Sequence, residues 1–201
     1  MASYLTKCGC TMTKRDSDSC ARQPDGLSGL DTFHDIVRHY ITHHRERAER
    51  ELRFYAIQHR LEKVVTLAGL AKLPSGKRHP HQRRIPAVAL EECKERLLKT
   101  DLKQCQTFAE LHDTVREVIG DIHRIGLLTI YDTALRIGAY LGLEPGKVYL
   151  HAGTREGAKS LGFGPRRRYL QVSELPEPFH NLKPREVEDC LCIYKTDLSA
   201  I

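Results

Sequence analysis

Tryptophan is absent and aromatic residues make up only 6% of the chain, too few for the exposed rings on which unpaired bases stack. No apolar run is long enough to cross a membrane or resembles a signal peptide, so no membrane association is expected and a cytoplasmic location is. The seven cysteines are an odd number scattered from Cys8 to Cys192, which lays out no disulfide framework. Internal repeats and sustained polar–apolar alternation are also missing, so strands should contribute little and the fold should be mainly α. Nothing in the sequence assigns a cofactor.

What the chain does have is positive charge. A formal net charge of +6 and a pI near 9.0 suit an anionic partner, for which nucleic acid is the natural candidate. The charge is concentrated in residues 72–86, KLPSGKRHPHQRRIP, where Lys72, Lys77, Arg78, Arg83 and Arg84 stand with no acid among them. Pro74, Gly76, Pro80 and Pro86 forbid a regular helix there, so this is read as an exposed basic loop, with phosphate contact favoured over a plain linker. His79 and His81 offer two metal ligands or a general acid, but no carboxylate nearby in sequence completes either site, and no metal site is assigned. Cys8, Cys10 and Cys20 lack a second CxxC and are read as free thiols.

The organisation follows from periodicity. Residues 1–30 mix small and polar types without period and are expected to form a flexible arm. Residues 31–71 carry an apolar stripe, Phe33, Ile36, Val37, Tyr40, Ile41, His44, Ala48, Leu52 and Tyr55, that continues through Leu61, Val64, Val65 and Ala68. This predicts one long amphipathic helix, with a possible bend over residues 58–61 and a face of alternating charge. Its length makes it a candidate for docking a protein partner. After the basic loop, residues 87–201 form a helical domain. A capping box at Thr107 and Glu110 opens a helix with Phe108, Leu111, Val115, Val118 and Ile119 on one face. Past a tight turn, Ile130, Ala134, Ile137 and Leu141 repeat that pattern, with Thr129 as the expected cap, Asp132 as a helix-start acid and Gly142 as the stop. Pro145 is expected to begin a short helix and Thr154 to cap another that sets Arg155 and Lys159 on one face. Arg166, Arg167 and Arg168 form a second basic cluster. A last helix over residues 185–195 packs through Val187, Cys190, Leu191 and Tyr194.

The order of helix, Ile122, Ile125, Gly126 and helix resembles the helix-hairpin-helix motif. The longer span 119–162, which is 44 of 201 residues, resembles the hairpin region of the DNA glycosylases, with Val148 to His151 and Arg155 similar to the strand-like link into that family's next helix. The resemblance implies that the turn offers backbone N–H groups and a helix N-terminus to a DNA phosphate. It also implies departures. Arg124 stands at the family's first hairpin glycine, Leu127 or Leu128 at its lyase lysine, and Tyr149 or Leu150 at its essential aspartate.

Two glycosylase groups are therefore replaced by residues that cannot perform their chemistry. The reading is a protein that contacts duplex DNA through Arg124, Gly126, Leu128 and Thr129, with Lys77, Arg78, Arg83, Arg84, Arg155 and Lys159 supplying charge, and with no catalytic residue assigned. The alternatives are a nucleic-acid-processing enzyme with relocated groups, drawn from Asp121, His123, Tyr131, Asp132 and His151, and an interaction subunit built on the long helix. His112 and His123 read as ordinary surface or packed histidines.

Overall fold

The computed structural model describes residues 29–201; the expected N-terminal arm and Cys8, Cys10 and Cys20 lie outside them, apart from the arm's last two residues. Eight α-helices form among the described residues: α1 (Phe33–His43), α2 (Arg45–Ala56), α3 (Leu61–Gly69), α4 (Ala87–Leu98), α5 (Phe108–Ile119), α6 (Leu127–Leu141), α7 (Ala152–Ser160) and α8 (Pro184–Ile193). The one sheet pairs β1 (Val148–Tyr149) antiparallel with β2 (Tyr169–Leu170), in the register Val148 to Leu170 and Tyr149 to Tyr169. The mainly α expectation holds. Among the described residues, no helix is long and apolar enough to cross a membrane.

The single long helix expected over residues 31–71 is instead three. His44 leaves helical geometry (φ −120°, ψ −38°), and it serves both as the C-cap of α1 and the N-cap of α2. Tertiary bonds on either side of it explain the break. Tyr40 donates to Asp189 at 2.7 Å and Arg45 grips Glu186 in a two-pronged contact at 2.7 and 3.1 Å, so each helix is aimed separately at α8. The second break falls at residues 57–60, where the expected bend was placed. Here the Gln58 amide takes the Phe54 carbonyl at 2.6 Å, competing with continuation of the backbone ladder. Most of the apolar stripe is consumed within the chain, Ile36, Val37 and Tyr40 in one core and Tyr55, Val64, Val65 and Ala68 in another, while Ile41 stays exposed.

Those two cores organise the molecule. The first joins the end of α2 with α3, α4, α5 and α6, through Tyr55, Leu90, Leu111, Ile119, Tyr131 and Ile137. The second joins α1, β1, β2, α7 and α8, through Ile36, Tyr40, Val148, Phe179, Leu191 and Tyr194. Each large side chain moved fully from water contributes about 1.5–3 kcal/mol, so both cores bind strongly.

Local chemistry sets the ends. Thr107 accepts the Glu110 N–H at 3.2 Å, as the capping box predicts, while the Glu110 carboxylate reaches back to Gln106 N–H at 2.7 Å. Gly142 closes α6 in the left-handed region (φ +72°). The expected helix from Pro145 does not form. Val148 and Tyr149, β-branched and aromatic, pair instead with β2. Thr154 is not the cap of α7 but its third residue; His151 holds the cap position and donates its N–H to the Thr154 hydroxyl at 2.8 Å.

Helices α7 and α8 approach closely because Gly157 has no side chain. A Cβ there would stand 2.1 Å from the Leu191 carbonyl oxygen, which as backbone cannot swing aside. Gly157→Ala should cost about 3 kcal/mol in urea unfolding, the upper end of typical overpacking penalties, whereas Gly164→Ala, which meets nothing within 4 Å, should leave the midpoint nearly unchanged.

Candidate functional site: a polar seam between two cores

Helix α6 carries only two charged residues, Asp132 and Arg136, and their i, i+4 spacing puts both on one face. That face looks away from the first core toward a seam where α2, the basic loop, α7 and α8 meet. Asp132 accepts from the Gln82 amide at 2.5 Å and lies 3.5 Å from Arg136, whose guanidinium is also 3.7 Å from Glu51 on α2. Gln82, fully buried, ends the short turn Pro80–Gln82 that His79 opens, and its own carbonyl oxygen faces Arg136 at 3.4 Å. His79 points Nε2 toward Glu51 at 3.6 Å and packs edge-on against the His81 ring at 4.8 Å. From the other side, His151 at the start of α7 bonds Glu188 of α8, and the Tyr131 ring lies 6.2 Å from the His151 ring.

Burial governs the protonation states here. It drives His79 down to about 4, aided by Arg136, so the ring is neutral at pH 7. It likewise lowers His151 to about 4 and holds Glu188 well above the usual carboxylate range, where Asp132 adds to the effect. Both shifts favour the uncharged form of each partner. Glu51 is raised by burial against the opposing pull of Arg136.

Hydrogen bonding in the seam is incomplete. Tyr131 Oη, Arg136 Nη1, His151 Nδ1, Arg155 Nε and Arg185 Nε are buried polar atoms without a partner, and no other such side-chain atom occurs among the described residues. Tyr131 and Arg136 on α6 and His151 at the cap of α7 belong to this region; Arg155 follows in α7, and Arg185 on α8 lies 3.6 Å from Glu49. Unpaired buried polar atoms are costly and uncommon, so their concentration marks the region as the candidate site.

The structure sorts the residues singled out by sequence. Of the five candidates for relocated chemistry it gathers Tyr131, Asp132 and His151; Asp121 pairs instead with Arg96 at 2.6 Å, and His123 is exposed. Asp132 is not a helix-start acid: it sits in the second turn of α6, half-buried and bonded. Nor is the loop wholly exposed, since His79 is half-buried and Gln82 fully so. Among the proposed phosphate contacts, Lys77, Arg83, Arg84, Arg124, Gly126 and Lys159 are exposed. Arg78 donates to the carbonyls of Ile85 and Arg83 at 2.8 and 3.4 Å, Arg155 and Leu128 are half-buried, and Thr129 is buried. Gly126, not Thr129, is the N-cap of α6. In the second basic cluster, Arg167 pairs with Glu174.

Glu51, Gln82, Arg136 and Glu188 were not singled out by sequence. The pair Asp132 and Arg136 in an otherwise uncharged helix was the available signal; nothing in the pattern marks the others. No family model, curated protein or solved structure matches the chain.

The pair's pH response has a definite sign. Glu188, raised above its ordinary 4.5, contributes stability that is present below that value and is lost as pH rises; His151, lowered from 6.5, contributes stability that is present above 6.5 and is lost as pH falls toward about 4. Above pH 4.5 the two slopes oppose one another, each at most about 1.4 kcal/mol per pH unit, and the His151 slope ends at 6.5. Glu188→Gln should therefore gain stability relative to wild type as urea midpoints are followed upward from pH 5, because only wild type carries the loss that comes from Glu188.

Proposed function

We propose that the chain binds duplex DNA through its phosphate backbone, with the turn between α5 and α6 as the grip and the loop over residues 72–86 as additional charge. The observation that carries this reading is the start of α6. The helix opens at Gly126 with no side-chain cap and no acid in its first turn, so its leading N–H groups and positive dipole end have no anion of their own. Arg124, two residues earlier, is exposed and adopts φ +73°, the left-handed angle that glycine takes readily. The turn thus has a glycine-like bend while presenting a cation beside the helix start. Phosphate contact of this kind positions DNA without reading its sequence.

A second reading, an enzyme acting on nucleic acid with relocated groups, draws on the meeting of Tyr131, Asp132 and His151 with Glu188 in the seam. Asp132→Asn and His151→Gln would abolish such an activity, and cleavage unchanged by both would discard this version.

The binding reading is tested by affinity for duplex DNA across a salt titration. Affinity should fall more than tenfold on adding about 0.1 M salt when several phosphates are contacted, and the Arg83→Ala/Arg84→Ala double variant should flatten the slope. Absence of duplex binding, or a flat salt response, would reject it.

Arg124 allows the turn and the charge to be separated. Arg124→Gly should keep or raise thermal stability, since glycine accepts φ +73°, whereas Arg124→Ala retains the strained angle and should be less stable than the glycine variant by about 1 kcal/mol. Both should lose one phosphate contact, lowering the logarithmic salt slope by about 0.9.

A further inference from the structure

We propose that His79, His81 and Asp132 form a binding site for one divalent transition-metal ion, held by two imidazoles and one carboxylate. Their ligand atoms all lie within 4.8 Å of one another, and none of the three residues is fully buried, so an ion has a route in. Bonds of about 2.1 Å in tetrahedral geometry need ligand atoms about 3.4 Å apart, which the set reaches by contracting about 1.4 Å at most. His79 and His81 flank Pro80 in a short turn with its own backbone bonds, Gln82 N–H to His79 at 3.0 Å and Arg83 N–H to Pro80 at 3.3 Å, so both rings stem from one fixed backbone segment. The carboxylate arrives from α6, far along the chain.

Two imidazoles with a carboxylate select an ion of borderline character, such as zinc, iron(II) or cobalt(II), over magnesium and calcium, which take oxygen ligands. Surrounding groups already occupy supporting positions. Gln82, fully buried, fixes one Asp132 oxygen at 2.5 Å, and Glu51 stands 3.6 Å from His79 Nε2, placed to receive that ring N–H when Nδ1 ligates. The bond from His81 N–H to His79 Nδ1 is long, 3.3 Å, and gives way at little cost. Arg136 and, more weakly, Arg47 are adverse charges there, and Glu51 lies 3.7 Å from Arg136. Three protein ligands leave at least one coordination position for water or for an anionic group. Arg136, over nine-tenths buried, lies 3.5 Å from Asp132 and keeps its Nη1 unpartnered. This inference does not depend on DNA binding.

The test uses the full chain, free of any affinity tag and stripped with chelator, titrated with cobalt(II) and followed by visible absorption and by metal content after gel filtration. Wild type should take up one equivalent with the absorption of a nitrogen–oxygen site. His81→Asn and Asp132→Asn should each weaken binding at least tenfold, with unchanged circular dichroism, and His123→Ala, an exposed histidine, should bind as wild type. The variant Cys8→Ser/Cys10→Ser/Cys20→Ser should also retain the ion. Overturning results are no stoichiometric cobalt on the wild-type chain, equal binding by His81→Asn and Asp132→Asn, or a site lost with the three cysteines. DNA affinity measured in parallel on the stripped protein distinguishes failure of this site from failure of the binding reading.

Discussion

The arrangement turns on the bonding of Asp132. It joins α6 to the loop through Gln82 and shares a network with Arg136 and Glu51, so helix, loop and α2 are tied by directional contacts where apolar packing alone would have left them free to slide. The second apolar core is tied to these elements by other directional contacts, Arg45 of α2 to Glu186 of α8 and Arg185 of α8 to Glu49 of α2. Hydrophobic burial is not directional and would accept many relative placements of the two cores; polar contacts of fixed geometry accept few. Incomplete hydrogen bonding in the seam is equally informative, since Tyr131, Arg136 and His151 supply three of the five buried side-chain atoms without partners among the described residues.

Much of the helical framework was legible in the sequence because it rests on local signals. The Thr107 and Glu110 box, the Gly142 stop, and the stripe of Val187, Cys190, Leu191 and Tyr194 depend on spacing within a turn or two. The break at His44 was not legible, because its cause lies in Tyr40 and Arg45 reaching Asp189 and Glu186 at the far end of the chain. At Val148 local signals and resemblance diverge: Pro145 is a fair helix-start signal, the resemblance implies a strand-like link, and the pairing with Leu170 decides for the strand.

The candidate site shows the same division. His79 and His81 stood out as a pair, yet their carboxylate partner could not be found by looking nearby, since a fold rather than a spacing delivers Asp132. Glu188 drew no notice because a glutamate on a helix is ordinarily solvated. Here it is buried against His151, in a helix whose apolar stripe correctly implied packing but did not say which polar residues that packing would enclose.

The positive φ of Arg124 carries one more implication. Most exposed turns that bend this way use glycine, the residue that gives up the most disorder when the chain folds and projects nothing into solvent. With arginine at that point, the unfolded chain is stiffer and the folded turn bears a long charged arm. The corner between α5 and α6 is therefore pre-shaped by the rest of the fold rather than by its own residue, a rigid mount for a mobile cation.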